Sequence, residues 1–354
     1  MKNTYFTVGP SQLYPTVAKH VAVAMKQDVP SLNHRGKEFK EIYKHTSEML
    51  RKLMDIPESH HIFFVASGHE GMERILMNTV HKHSFHLVSG AFSKKFYAQA
   101  LALSKKPEKI EVPTGTGFDF AKIKIPKHAE VICITQNETS TGVRINMSDI
   151  YALKKRTPQA LIAMDIVSSA PYVTIDFRHI DMAFFSVQKG FGLPSGLGIL
   201  IVSNKAIKKT KLLAGKKMPI GGYHDFLSLH ESVLTSQTPE TPNILNIYLL
   251  GKVTQDLLQY GVEKMRKETE EKAKLLYDFF DKHPKYKPFV TKEHRSPTTL
   301  VIDTKGDTEK IVAKLAKKGY GVSKGYGDRN EDQIRIANFP AQTLKQVKTL
   351  LASF

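Results

Sequence analysis

From about Ile62 onward the apolar positions fall into short unbroken runs separated by stretches of helical spacing. IFFVA is followed by a helical pattern after Gly68, FHLVS by one after Ala91, and KIEVP, EVICIT, ALIAMD, MAFFSV and LGILIVS continue the series. Runs this short with no polar alternation predict strands covered on both faces. Their alternation with helices predicts an α/β fold around a mainly parallel sheet. The pattern changes after about Asn243, where a long helical stretch from 244 to about 283, broken near Gly261, leads into two strands, TTLVID and QIRIAN. These alternate with helices around 308–318 and 341–353, as in a smaller α+β unit. The expected division is a large domain over 16–243 and a small domain made of 1–15 plus 244–354, with the first fifteen residues packing on the C-terminal unit or on a second subunit.

The chain has 354 residues, enough for one large core and a smaller one. No apolar run reaches membrane-spanning length and the start lacks the features of a signal peptide, so the expected location is the cytoplasm with no membrane partner. A net charge of +18 admits either a nucleic-acid partner or a basic surface that attracts anionic metabolites. Lysines alternate with glutamates at helical spacing in KVTQDLLQYGVEKMRKETEEKAKLL, as on a solvated helix face, and zinc-finger and RNA-binding signatures are absent, so no nucleic acid is expected. The single cysteine, Cys133, sits in the apolar run VICIT and reads as a core thiol; multi-thiolate metal sites are excluded and no metal is expected.

Chemistry concentrates where apolar runs end. MAFFSVQKGFG places Lys189 at the end of an interior strand, where burial lowers the amine pKa toward the nucleophilic range that Schiff-base chemistry requires. A lysine snorkelling to water is the plainer alternative. ALIAMD ends in Asp165, either a helix cap or a carboxylate at the same sheet edge as Lys189. IFFVA runs into Ser67-Gly68-His69, a small-residue turn opening a helix and hence a site for a phosphate. VICITQNET ends in Asn137-Glu138-Thr139, and Ser89-Gly90-Ala91-Phe92-Ser93 offers Phe92 as a ring that stacks.

This ordered set, completed by Ser186-Val187-Gln188-Lys189, resembles fold-type I pyridoxal-phosphate (PLP) enzymes, within them the class V aminotransferases, and among these most closely the phosphoserine aminotransferase branch. The likeness spans nearly the whole chain. It implies Lys189 as the Schiff-base lysine and Asp165 as partner of the cofactor's ring nitrogen. Gly68, His69 and Gln188 would meet the cofactor phosphate, and Phe92 and Thr139 the ring. It implies a homodimer with shared active sites, Gln237 and Thr238 contacting the partner's cofactor phosphate and His34 and Arg35 reaching the partner's substrate. Arg335, in QIRIAN, would clamp the substrate α-carboxylate with its planar fork. The implied reaction is amino transfer between 3-phosphoserine and 2-oxoglutarate, in serine biosynthesis.

The sequence departs from that pattern in three places. There is no Trp, so Phe92 takes the stacking position; Val8-Gly9-Pro10 replaces a Ser-Gly-Pro; and Lys324-Gly325-Tyr326-Gly327-Asp328-Arg329 replaces a second His-Arg pair. The last change leaves Lys324 or Arg329 to supply charge for a substrate phosphate. It also keeps open a serine/alanine-pyruvate or alanine-glyoxylate activity. A cysteine desulfurase would need an accessible thiol, and a nucleic-acid binder on a non-catalytic fold would have no use for Asp165 and Lys189.

Overall fold

A computed structural model describes residues 3–354; the first two residues of the expected N-terminal stretch lie outside the described residues. Seven strands form the central sheet in the spatial order His60–Val65, Gly198–Ser203, Met182–Ser186, Leu161–Asp165, Val131–Thr135, His83–Val88, Lys106–Glu111. All neighbouring pairs are parallel except those made by Gly198–Ser203, which runs against both its neighbours. The unbroken apolar runs are explained by burial on two sides. Ile132, Ile134, Ile162, Met164, Ala183 and Phe185 enter one core, whereas Val131, Cys133, Ala163, Met182 and Phe184 alternate into a second core on the other face. Cys133 is a buried thiol whose pKa burial pushes up, as the core reading requires.

A second sheet of five strands holds Thr4–Phe6, Tyr320–Lys324, Gln333–Ala337, Thr299–Asp303 and Lys287–Pro288 in that order. The N-terminal strand pairs in parallel with Tyr320, Gly321 and Val322, so the start of the chain is tied to the C-terminal unit. The helical stretch breaks at Gly261, which has a φ of +100° and separates Ile244–Tyr260 from Val262–Lys282. The first of these helices differs from the expected division at 243. It buries Ile247, Leu250, Val253 and Leu257 in the large core and packs against the helix Lys37–Met54, because it is apolar on most of its surface. No helix among the described residues is long and apolar enough to cross a membrane.

Candidate active site

The parallel strands all end at one edge of the large sheet, and the antiparallel strand Gly198–Ser203 begins there: Thr135 pairs with Asp165, Asp165 with Phe184, and Gly198 with both Ser186 and Val65. The residues just past these ends enclose a cavity of about 300 Å³. Its walls include Gly68, His69, Phe92, Thr139, Asp165, Gln188, Lys189 and Arg335, that is, most of the positions singled out in the sequence. His34, Arg35, Gln237 and Thr238 are not in the wall. Arg35 instead donates to Gln237 Oε1 (3.1 Å) and to the carbonyls of Thr238 (2.7 Å) and Pro239 (2.9 Å), gathering these residues into a separate patch.

Lys189 is buried and its ammonium donates to the Thr139 hydroxyl at 3.1 Å, 5.3 Å from the centroid of the Phe92 ring. Burial holds its pKa below the ordinary lysine value, against the opposing pull of Asp165. Asp165 is buried as well, and burial raises its carboxyl above the usual range although Oδ1 accepts from the Val167 N–H at 2.8 Å. Gly9, at a φ of +137°, lies flat on the Lys189 stem: a side chain there would place its Cβ 3.0 Å from Lys189 Cε. The N-terminal Val8-Gly9-Pro10 thus forms one wall of the cavity.

The turn at Gly68 opens the helix Gly68–Thr79, capped by Ser67 Oγ accepting from the Glu70 N–H at 3.1 Å. The Gly68 N–H donates to Ser186 Oγ at 2.8 Å, and a Cβ on Gly68 would stand 2.8 Å from Val167 Cγ2 and 2.9 Å from that hydroxyl. The turn is therefore a glycine cradle at a helix N-terminus, with the exposed His69 following it. The Gln188 amide oxygen beside it is buried with no partner among the described residues. The helix N-terminus fits a bound anion like a cofactor phosphate, toward which Gln188 would turn its amide N–H2 rather than its acceptor oxygen.

Phe92 owes its place to Glu138. That buried carboxylate accepts from the N–H groups of Phe92 (3.2 Å), Ser93 (2.9 Å) and Ser140 (3.1 Å) and from the hydroxyls of Ser93 (2.9 Å) and Ser140 (2.6 Å). It satisfies the free donors at the start of the helix Ala91–Ala102 and complements its dipole. Of the strand end Asn137-Glu138-Thr139, Thr139 lines the cavity, and Glu138 anchors the helix. Gly90 is required because a Cβ would fall 2.5 Å from both Glu138 Cγ and Ser140 Oγ.

Arg335 reaches the cavity from the small sheet. Its Nε donates to the Lys324 carbonyl at 2.9 Å and Nη1 to the Thr139 carbonyl at 3.4 Å, and burial lowers its pKa to about 10. It has no carboxylate partner among the described residues. A partly desolvated guanidinium without a counter-ion suits an anionic ligand. Lys324 and Arg329 do not line the cavity: Lys324 pairs with Glu309, and the Arg329 guanidinium lies 5.5 Å over the Phe289 ring. The residue of that stretch that does enter the wall is Tyr326, its ring 5.2 Å from that of Phe92.

A mainly parallel sheet that presents a buried lysine, a buried aspartate, a glycine cradle and a free guanidinium at its carboxyl edge is the frame of a fold-type I cofactor enzyme. The chain belongs to the aminotransferase class-V family, whose model matches residues 5–330, and it is a PLP-dependent transaminase. A solved phosphoserine aminotransferase from Cytophaga hutchinsonii is 45% identical, with a TM-score of 0.98 over 99% of this chain and 98% of that one. A putative phosphoserine aminotransferase of Mycolicibacterium vanbaalenii is 28% identical over 360 residues, 98% of this chain and 93% of the relative. The PLP-bound phosphoserine aminotransferase of Trichomonas vaginalis shares the fold, with a TM-score of 0.86 at 21% identity over 99% of each chain.

Proposed function

We propose that the chain exchanges the amino group between 3-phosphoserine with 2-oxoglutarate and 3-phosphohydroxypyruvate with glutamate, a step of serine biosynthesis in the cytoplasm. The observation that carries this reading is the 45% identity to the Cytophaga hutchinsonii phosphoserine aminotransferase over nearly the full length of both chains. The guanidinium of Arg335, bonded to carbonyls but to no carboxylate among the described residues, lines the same cavity as Lys189 and supports it.

PLP, when bound, supplies an electron sink for the substrate α-carbon. The chain's residues do the rest. Lys189 holds the cofactor and carries the proton on and off the α-carbon as base and acid, for which its lowered pKa suits it. Asp165, buried in the cavity wall, would stand against the ring nitrogen and stabilise its proton. Phe92 would stack on the ring and Gly68, His69 and Gln188 would take the phosphate, while Thr139 orients Lys189. Arg335 fixes the substrate carboxylate by a two-point contact, so that the bond to be broken stands in the reactive direction.

A homodimer completes the site in this reading, with Gln237 and Thr238 of one copy meeting the other's cofactor phosphate and His34 and Arg35 its substrate. The contacts of Arg35 with Gln237, Thr238 and Pro239 support the grouping of these residues into one patch. The large domain is best drawn as about 16–260 and the small one as 3–15 with 261–354, since the helix Ile244–Tyr260 shares the large core. Steady-state rates decide the substrate. Phosphoserine with 2-oxoglutarate is expected to exceed alanine with pyruvate or glyoxylate in kcat/KM by about a hundredfold; good alanine turnover without phosphoserine turnover overturns the reading.

A further inference from the structure

A substrate with a phosphate beyond its α-carboxylate presents two anionic groups to one cavity. Lys189 and Arg335 are the lysine and arginine of its wall, and the reading above gives the first to the cofactor and the second to the carboxylate, leaving the distal anion to groups outside this wall, the partner's His34 and the partner's Arg35 among them. A third cation stands directly beside the wall. Lys95, on the helix that Phe92 begins, donates from Nζ to the Tyr326 hydroxyl at 2.8 Å. The same ammonium lies 5.2 Å from the Phe92 centroid and 5.4 Å from that of Tyr326, both of them lining residues. It has no carboxylate partner among the described residues, unlike Lys324, which Glu309 engages. Gln99, one turn along the same helix face, donates to the His69 carbonyl at 3.4 Å, so this face adjoins the start of the helix Gly68–Thr79. The Arg335 guanidinium also lies 5.4 Å from the Tyr326 centroid. Tyr326 thus contacts two cations, Lys95 and Arg335, neither with a carboxylate partner among the described residues.

We propose that Lys95, held by the Tyr326 hydroxyl, receives the distal anionic group of the amino-acid substrate and sets the preference for substrates that carry one. The assignment rests on the transaminase reading of the cavity and adds a residue of the same subunit that meets the second charge alongside the partner's His34 and the partner's Arg35. The flexible stem of lysine lets the ammonium leave the phenol for a stronger acceptor. A phosphate or carboxylate oxygen is such an acceptor, since a hydrogen bond between two charged groups exceeds one to a neutral hydroxyl. The same group would serve the phosphate of phosphoserine and the γ-carboxylate of glutamate in turn.

The test uses an unreactive probe. Calorimetric titration of the holoenzyme with 3-phosphoglycerate, and with glycerate as the version lacking phosphate, separates the distal contact from the carboxylate contact. Lys95→Ala is expected to weaken 3-phosphoglycerate about tenfold or more, and to weaken it at least fivefold more than glycerate, roughly the worth of one charged hydrogen bond. Lys95→Arg should restore most of the loss, and added salt should shrink the difference between wild type and Lys95→Ala. Unchanged cofactor absorbance and melting temperature in Lys95→Ala exclude misfolding. Wild-type affinity for 3-phosphoglycerate in a folded Lys95→Ala protein overturns the assignment, even if phosphoserine is turned over. A wild type that turns over no phosphoserine, with the probe still lost in Lys95→Ala, refutes the phosphoserine reading and leaves Lys95 as the distal-anion residue.

Discussion

Lys189 donates its ammonium proton to the neutral hydroxyl of Thr139 at 3.1 Å rather than to a carboxylate, although both residues are buried. Burial disfavours the charged amine more than Asp165 favours it, so the neutral, nucleophilic form appears below the ordinary lysine pKa of 10.5. Cofactor loading into the apoenzyme needs that neutral form. Its rate is therefore expected to climb with pH and level off well below pH 10.5, which stopped-flow absorbance checks. A rate still rising steeply past that value argues for a lysine in a water-like setting.

Arg335→Lys keeps the charge but loses the planar fork. It is expected to raise KM for amino donors by about tenfold to a hundredfold with a smaller change in kcat, as initial-rate kinetics will show. Arg335→Ala should be worse, because the cavity then lacks the carboxylate contact altogether.

Glu138→Ala removes the acceptor of five hydrogen bonds and leaves the first turn of the helix at Phe92 with buried, unpaired donors. The expected cost is about 3 kcal/mol of stability, read by urea unfolding, together with weaker retention of PLP as Phe92 shifts. Loss of stability with normal cofactor affinity would show that Phe92 does not depend on this cap.

His224 bridges Glu70 Oε1 at 2.5 Å through Nδ1 and Glu240 Oε2 at 2.8 Å through Nε2. Burial works against the imidazolium, but the hydrogen bonds to Glu240 and Glu70 outweigh it and push the pKa up to about 9. Because the folded value lies above the unfolded value of 6.5, the stabilisation is complete below about pH 6.5 and is lost as pH rises through about 9. The melting-temperature gap between wild type and His224→Gln should be widest near pH 6 and narrow above pH 9. A gap constant across that range contradicts a charged His224.

The strands around the cavity were legible because burial on both faces strips them of polar residues, and their polar ends marked the site. Strand direction was not, since the antiparallel Gly198–Ser203 has the same apolar pattern as its parallel neighbours. Tyr320–Lys324 escaped notice because it is short, glycine-containing and mostly half-exposed, and is secured by pairing with Thr4–Phe6. Ile244–Tyr260 was assigned to the small unit by chain position, whereas its apolar surface places it in the large core. The anchoring role of Glu138 was not legible because its three bonds to Phe92 and Ser93 form only when two strand ends meet. Tyr326 and Lys95 are 231 residues apart, and no local pattern links a phenol in a glycine-rich turn to a lysine on a helix. Lys324 and Arg329 drew attention as the cations of the stretch that replaces the second His-Arg pair, and their partners Glu309 and Phe289 are visible only in three dimensions.

The central claim is that Lys189 is the covalent anchor of PLP. Borohydride reduction of the holoenzyme, followed by peptide mass mapping, fixes the cofactor to whichever amine holds it. The expected result is one phosphopyridoxyl group per chain on the peptide containing Lys189, with none acquired by Lys189→Ala. An unmodified Lys189, or label on Lys95 or another lysine at equal yield, contradicts the account.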